Sequence, residues 1–209
     1  MKQFGLIVSF LISSVLVYAQ DVSRNPSTTW RQYEARINLS ILPQVEYVKI
    51  AGNMDFNISL SGIMTLNDHF FFGGYITKKP MRSFNDYSGT NYDVSYQHMG
   101  LHVGHSIRLG LYRTSGGHYV RRKTKFIYSL KLGGGAIWLV NENNVKSSSR
   151  DYLYLGQLNL GLTRPISKFI YVELGGCYVY TYGVNLSTLN STDFSGPGAY
   201  LAFKFNLFR

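Results

Sequence analysis

The sequence predicts an all-β fold, an eight-stranded antiparallel transmembrane β-barrel, and three observations support this. Long segments alternate apolar residues with polar or small ones, and this period of two indicates strands with two different faces. Several of these segments run for about a dozen residues, a length that suits a tilted strand crossing a bilayer. After the N-terminal segment, no apolar run reaches the roughly 20 residues that a membrane helix needs.

The clearest hairpin spans Tyr152 to Tyr182 and turns near Pro165. In both arms one parity carries apolar residues that end in tyrosines, and the other carries polar or very small residues. A barrel with lipid outside and a polar interior shows this pattern. Leu160 and Leu174 are therefore expected to face lipid, and Asn159 the interior.

The same alternation places six further strands, five before this hairpin and one after it. A connection through Pro43, Glu46, Lys49 and Gly52 is expected to separate the first two strands. Within the fourth strand the apolar parity switches, which predicts a β-bulge near Gln97–His98. The six strands lie at about residues 30–41, 56–66, 70–78, 92–111, 126–138 and 199–208.

The connections between strands differ in length, and this difference predicts an orientation. Connections after strands one, three, five and seven are long and polar, those after strands two and six are tight, and the one after strand four is an exception. In outer-membrane barrels the long loops face the exterior, whereas short turns face the periplasm. Segments 79–91, 141–151 and 183–195 are therefore expected outside, with both termini and the turn at 114–118 on the periplasmic side.

The N-terminus resembles an export signal. A short positive start, an apolar run from Phe4 to Val17 and the small-residue ending Val17-Tyr18-Ala19 predict a signal peptide at 1–19, cleaved after Ala19. An uncleaved anchor helix is the alternative. The mature chain, 20–209, is then one barrel domain in the outer membrane of a Gram-negative bacterium.

Three segments carry a family resemblance: the signal ending Val17–Gln20, the glycine-rich strand Leu130–Trp138 and the closing segment Ala199–Arg209. With them the chain resembles the small outer-membrane barrels of the OmpA-like and OmpX-like family, especially the "porin family" barrels common in Bacteroidetes. The closing segment resembles the signal that barrel-assembly machinery recognises, although it ends in Arg209 rather than an aromatic residue. The resemblance implies contacts with that machinery, with outer-membrane lipid and lipopolysaccharide, and with other outer-membrane proteins.

Six charged residues fall on the inward parity, three acids and three bases. An eight-stranded barrel is just wide enough for its own side chains, and buried charges need partners. The sequence therefore predicts an interior charge network that fills the lumen, with a water channel or narrow porin as the alternative. The six residues are Glu34, Arg36, Asp55, Lys131, Glu173 and Lys204.

Neither catalysis nor a cofactor is predicted. Because His105 and Ser106 are adjacent, their side chains point to opposite faces of a strand. His98 and His102 are four residues apart, about 13 Å along a strand, which is too far to share one metal ion. The histidines are therefore interpreted as polar lining, with a lipid A-modifying enzyme and a soluble lipocalin-like barrel as alternatives.

The net charge of +10 indicates an acidic partner. For an exported barrel, anionic lipid headgroups or a periplasmic protein are more natural than nucleic acid, and a solvated charge run is the alternative. The predicted function is a non-enzymatic barrel that acts through surface loops or a periplasmic hairpin as a binding protein or accessory subunit. The basic cluster comprises Arg108, Arg113, Arg121, Arg122, Lys123 and Lys125.

Overall fold

The computed structural model describes residues 37–79, 82–85, 91–113, 119–121, 123–141, 144–186 and 189–207. No helix in these ranges is long and apolar enough to cross a membrane. The elements are β1 (Ile37–Ile50), β2 (Asn53–Leu66), β3 (Phe70–Lys78), β4 (Arg82–Asn85), β5 (Asn91–Arg108), β6 (Leu111–Arg113), β7 (Tyr119–Arg121), β8 (Lys125–Asn141), β9 (Asn144–Pro165), β10 (Ile170–Tyr182), a 3₁₀ turn (Ser191–Phe194) and β11 (Gly196–Asn206).

Eight of these strands close an antiparallel barrel. The order around it is β1, β2, β3, β5, β8, β9, β10 and β11, and β11 pairs with β1 to complete the ring. The short β4 pairs with β5 beyond the end of β3, and β6 and β7 form a small hairpin between β5 and β8. The eight-stranded antiparallel β-barrel predicted from the alternating pattern is thus confirmed.

The alternating pattern sorts side chains between the outside and the lumen. On β9 the outward Leu160 is 47 % exposed, whereas its inward neighbour Asn159 is 1 % exposed. Leu174 on β10 is likewise exposed, and Gln157 on β9 is buried. Because successive strand residues point to opposite faces, an apolar band covers the outside.

The barrel has two different ends. At the terminal end lie the beginning of β1, the end of β11, the turns 67–69 and 166–169, and the hairpin of β6 and β7. At the distal end lie the β1–β2 turn, β4, the end of β8, the beginning of β9 and residues 183–186 and 189–195. The described parts of the long segments predicted to share one end thus lie at the same end.

The predicted connection after the first strand is wrong. Residues 43–50 continue β1, and Ala51 and Gly52 form the turn to β2. Both have positive φ, 49° and 81°, as a type I′ two-residue hairpin turn requires. Pro43 and the charges after it resemble a loop in sequence, although Gln44, Glu46 and Val48 keep the inward parity of Ser40.

The predicted loop at 141–151 is also wrong. β9 begins at Asn144 and runs for 22 residues, and it pairs with β8 up to Asn141. The polar residues there form the extended end of a hairpin, beyond the apolar band, where strand and loop sequences look alike.

The β-bulge predicted near Gln97–His98 is absent from the described pairing. β5 pairs without a register shift with β3 and with β8 through these residues. The apolar parity changes because the distal part of the lumen is itself apolar: Val94 and Tyr96 are buried inward, on the same face as His98.

The joint between the first and last strands contains a break. β1 and β11 pair at Ser40–Ile41 and again from Gln44 to Tyr47, in the same register, but not at Leu42 and Pro43. A proline has no N–H group to donate to a ladder. Pro43 therefore lies at the gap.

Two glycines of β8 permit close contact with β5. A Cβ atom at Gly133 would overlap the Met99 carbonyl oxygen and the Tyr75 hydroxyl, and one at Gly135 would overlap the backbone of Gln97 and His98. These positions account for two members of the glycine-rich segment predicted to let strands approach or bend. Gly134 points outward, where the nearest atom to a new Cβ, the Leu153 carbonyl oxygen, is 3.5 Å away.

Substitution of Gly135 by alanine is expected to destabilise the barrel by at least about 1–3 kcal/mol, because the new methyl group meets backbone that cannot move aside easily. The free energy of unfolding in detergent micelles measures the effect. Gly134→Ala is the matched control and should fold like the wild type. Equal behaviour of the two variants would contradict the close β5–β8 contact.

Candidate functional site in the barrel lumen

An ion pair lies at the centre of the lumen. Lys131 on β8 reaches across to Glu46 on β1, with 2.6 Å between Nζ and Oε1, and the two side chains are 0 % and 1 % exposed. Lys131 Nζ also donates to Gln44 Oε1 at 3.1 Å and to Ser59 Oγ at 3.0 Å. The ammonium group thus has three oxygen partners, and it lies 5.3 Å from the centre of the Tyr75 ring.

Amide side chains extend this cluster toward the terminal end. Gln44 and Gln157 each donate from Nε2 to Glu46 Oε1, at 3.0 and 3.1 Å. Gln157 also donates to Asn159 Oδ1 at 2.8 Å, and Asn159 donates to Ser129 Oγ at 3.1 Å. Such satisfaction of buried polar groups is what makes a buried charge tolerable.

The three histidines occupy different environments. His102 is 2 % exposed inside the lumen, and its Nδ1 and Nε2 lie 3.1 Å from Ser61 Oγ and Ser129 Oγ respectively. His98 is also inward, 3.3 Å from the Tyr75 hydroxyl. His105 is on the outward parity and packs 5.5 Å from Tyr128. A serine–histidine contact therefore exists, but it is buried in the lumen rather than on the outer face of the barrel.

The described members of the predicted charge set make three further kinds of contact. Asp55 pairs with Lys79 at 3.0 Å near the distal end. Glu173 accepts a hydrogen bond from the Tyr200 hydroxyl at 2.8 Å, and Lys204 donates to Thr65 Oγ1 at 2.9 Å. Glu34 and Arg36 lie outside the described residues.

Sequence reasoning missed both ion-pair partners. The sequence pattern places Glu46 in a connection and Lys79 at the start of a loop. The parity of Asn38, Ser40, Gln44 and Glu46 was the signal that could have placed Glu46 in the lumen. Lys79 directly follows β3. Its side chain points inward because the chain stays extended for one residue beyond the end of the strand.

Residues 183–186 and 189–195 cover the distal end of the lumen and are named the distal cap. Val184, Leu189 and Phe194 are buried against an apolar layer of inward residues, and the Phe194 ring lies 6.2 Å from that of Tyr96. Asn190 and Asp193 form a capping box that fixes the 3₁₀ turn. Gly52 N donates to the Asp193 carbonyl oxygen at 3.0 Å, which joins this cap to the β1–β2 turn.

The terminal end is more open and more polar. A small cavity at this end, open to solvent, is lined by Asn38, Asp68, Lys125, Thr163, Glu173 and Lys204 among others. Lys125 Nζ donates to the Asp68 carbonyl oxygen at 2.9 Å, and the exposed Arg108 lies 3.9 Å from the Asp68 carboxylate.

Of the four other members of the predicted basic cluster, Lys123 lies at this end, and the backbone of Arg113 and Arg121 belongs to β6 and β7. Lys123 is exposed. Arg122 and the side chains of Arg113 and Arg121 lie outside the described residues. Within the described ranges, no group of three histidine, cysteine or acidic side chains could hold a metal ion.

Glu46→Gln is expected to lower the free energy of unfolding by about 3–5 kcal/mol, because it leaves the Lys131 charge buried without a counter-charge. Urea titration in detergent micelles measures it. The double variant Glu46→Gln/Lys131→Met should recover part of the loss. Glu173→Gln should cost less, about 1–2 kcal/mol, because its partner is a neutral hydroxyl group. Equal losses for Glu46→Gln and Glu173→Gln would contradict the central role of the ion pair.

Comparisons with known proteins give similarity at the level of structure. No protein-family model and no curated protein matches the chain. The crystal structure of Neisserial surface protein A (NspA) superimposes with a TM-score of 0.53 at 11% sequence identity, covering 83% of this chain and 99% of that one.

Two further solved structures are more distant. The N-terminal β-barrel domain of Pseudomonas aeruginosa OprF has a TM-score of 0.46, 12% identity and coverage of 83% and 100%. Ail, the attachment invasion locus protein of Yersinia pestis, solved with the heparin analogue sucrose octasulfate, has a TM-score of 0.45, 13% identity and coverage of 83% and 98%. The similarity to NspA shows that this chain shares the fold of a small β-barrel surface protein.

Proposed function

We propose that this protein is an integral outer-membrane barrel of a Gram-negative bacterium, exported through the signal peptide at 1–19. In this proposal the lumen is closed to solutes, and the barrel is a non-enzymatic binding protein or an accessory subunit of a larger outer-membrane assembly. The protein is further proposed to belong to the Bacteroidetes "porin family" and to be inserted by the barrel-assembly machinery.

The distribution of apolar residues carries the proposal. Leu101, Ile58 and Leu174 are each more than half exposed on the outer face, whereas Lys131 and Glu46 are buried in the lumen. A closed barrel satisfies its backbone hydrogen bonds internally, which is what a chain in lipid requires. A lipocalin-like barrel would have the opposite arrangement, with the apolar faces inward, so this distribution favours the membrane.

Two protruding hairpins offer the binding surfaces. The long β8–β9 hairpin extends at the distal end, which we assign to the cell exterior. The β6–β7 hairpin lies at the terminal end, beside the exposed Arg108 and Lys123, and we assign it to the periplasm. Basic residues at the terminal end of the barrel are suited to bind anionic lipid headgroups or an acidic periplasmic partner.

An epitope tag inserted between Glu142 and Asn143 should be labelled by antibody on intact cells, because this site joins the distal ends of β8 and β9. A tag inserted between Gly116 and Gly117 should be labelled after the outer membrane is permeabilised. The reverse result would invert the proposed orientation. Purification of each tagged protein under mild detergent then tests for stoichiometric partner subunits. If none copurify, the protein acts as a binding protein on its own rather than as an accessory subunit.

The wild-type protein should give no stable currents in planar bilayers, because the central ion pair and the distal cap fill the lumen. Glu173→Gln should lower stability without creating conductance. Ion-selective wild-type currents whose selectivity changes in Lys131→Gln would favour the narrow porin instead. Detergent-dependent extraction and heat-modifiable gel migration provide the control that the barrel is folded.

A further inference from the structure

An arginine on the outer wall contacts two aromatic rings. The Arg150 guanidinium carbon lies 5.5 Å from the centre of the Trp138 ring and 5.1 Å from that of Tyr152. Trp138 is directly opposite Arg150 in the β8–β9 ladder, and Tyr152 is the next outward residue on β9. Cation–π contact with two rings restrains the guanidinium group and leaves N–H donors available.

The neighbouring acid does not neutralise Arg150. Asp151 Oδ1 accepts from the Tyr152 backbone amide at 2.8 Å, and its Oδ2 accepts from the Asn185 amide at 2.7 Å. Among the ion pairs of the described residues, none includes Arg150. This exposed guanidinium therefore has donors free for an external anion.

Arg150 lies at the height of a membrane boundary. Arg164 is on the same outward face of β9, fourteen residues away, with the exposed Leu160 and Leu162 between them. At about 3.3 Å per residue and a tilt of about 40°, the two arginines are roughly 35 Å apart along the barrel axis, slightly more than the roughly 30 Å hydrocarbon core. Arg150 is the distal member of this pair.

Tyrosines continue the surface beside the arginine. Tyr154 on β9 is directly opposite Tyr182 on β10, and the two are 67 % and 66 % exposed. Flat aromatic faces with hydroxyl groups at their edges suit a polar ring that also has C–H faces. Trp138, Arg150, Tyr152, Tyr154 and Tyr182 together are named the Arg150 patch.

We propose that the Arg150 patch binds the phosphorylated sugar headgroup of an outer-leaflet glycolipid. Arg150 donates a forked pair of hydrogen bonds to the phosphate, and the tyrosine rings pack against the sugar. Charge selects the phosphate, and the neighbouring rings select a glycolipid over a phospholipid. This inference rests on the proposed outer-membrane location with the distal end outside.

Native mass spectrometry of the full-length protein in detergent tests the site with three probes: bisphosphorylated lipid A, dephosphorylated lipid A and phosphatidylglycerol. Wild type should bind bisphosphorylated lipid A most tightly. Arg150→Gln should weaken that binding at least about tenfold, because a charge-assisted pair of hydrogen bonds is lost. Arg164→Gln is the matched control, with the same substitution on the same face of the same strand, and should bind like wild type. Arg150→Lys should retain part of the affinity.

Equal affinity of Arg150→Gln and wild type, or equal losses in Arg150→Gln and Arg164→Gln, would overturn the site. Phosphatidylglycerol binding as tight as that of lipid A would overturn the glycolipid as its occupant. Heat-modifiable migration verifies that each variant is folded, and Trp138 fluorescence in a Trp30→Phe background gives a second readout at the patch. A chain that stays soluble without detergent would overturn the proposed function itself, whereas failure of the Arg150 variants in a detergent-requiring barrel would overturn the patch alone.

Discussion

The buried ion pair between Glu46 and Lys131 is the constraint on which the rest of the lumen depends. Removing two charges from water is costly, and the cost is offset here by close contact and by hydrogen bonds. Gln44 and Gln157 donate to Glu46, and Ser59 accepts from Lys131. These partners come from β1, β2 and β9, while Lys131 comes from β8. The register of four strands is therefore coupled to one pair of charges, since a slip of two residues on any of them removes a partner.

The lumen is filled in two layers of different chemistry. Polar side chains occupy the middle, and apolar side chains such as Ile137 and Leu139 occupy the distal part, beneath the cap that contains Phe194. Eight strands leave little space beyond their own side chains. Other molecules can therefore be bound only at the ends and on the outer wall, where the hairpins, the basic residues and the Arg150 patch lie.

Much of the wall could be predicted from the sequence because alternation is local. The outward faces of β9 and β10 follow directly from it, and the inward parity of Asp55, Lys131 and Glu173 follows too. The bounds of β3 are predicted correctly, but three successive phenylalanines leave its parity open. The prediction failed where it assumed a uniformly polar lumen. Val94 and Tyr96 are apolar but point inward, and the resulting change of apolar parity was interpreted as a bulge. The partners of the charges could not be predicted, because Glu46 and Lys131 are 85 residues apart and meet across the barrel.

The proline in the joint between β1 and β11 makes the wall mechanically uneven. A closed sheet resists widening through the hydrogen bonds that run around its circumference, and at Leu42 and Pro43 that circumferential connection is interrupted. Below the gap the Ser40 hydroxyl bonds to Asn206 Oδ1 at 2.8 Å, and above it the strands pair again at Glu46 and Tyr200. Lateral strain on the barrel would therefore concentrate between this hydrogen bond and this strand pairing. The same joint can form only after the last strand has been synthesised.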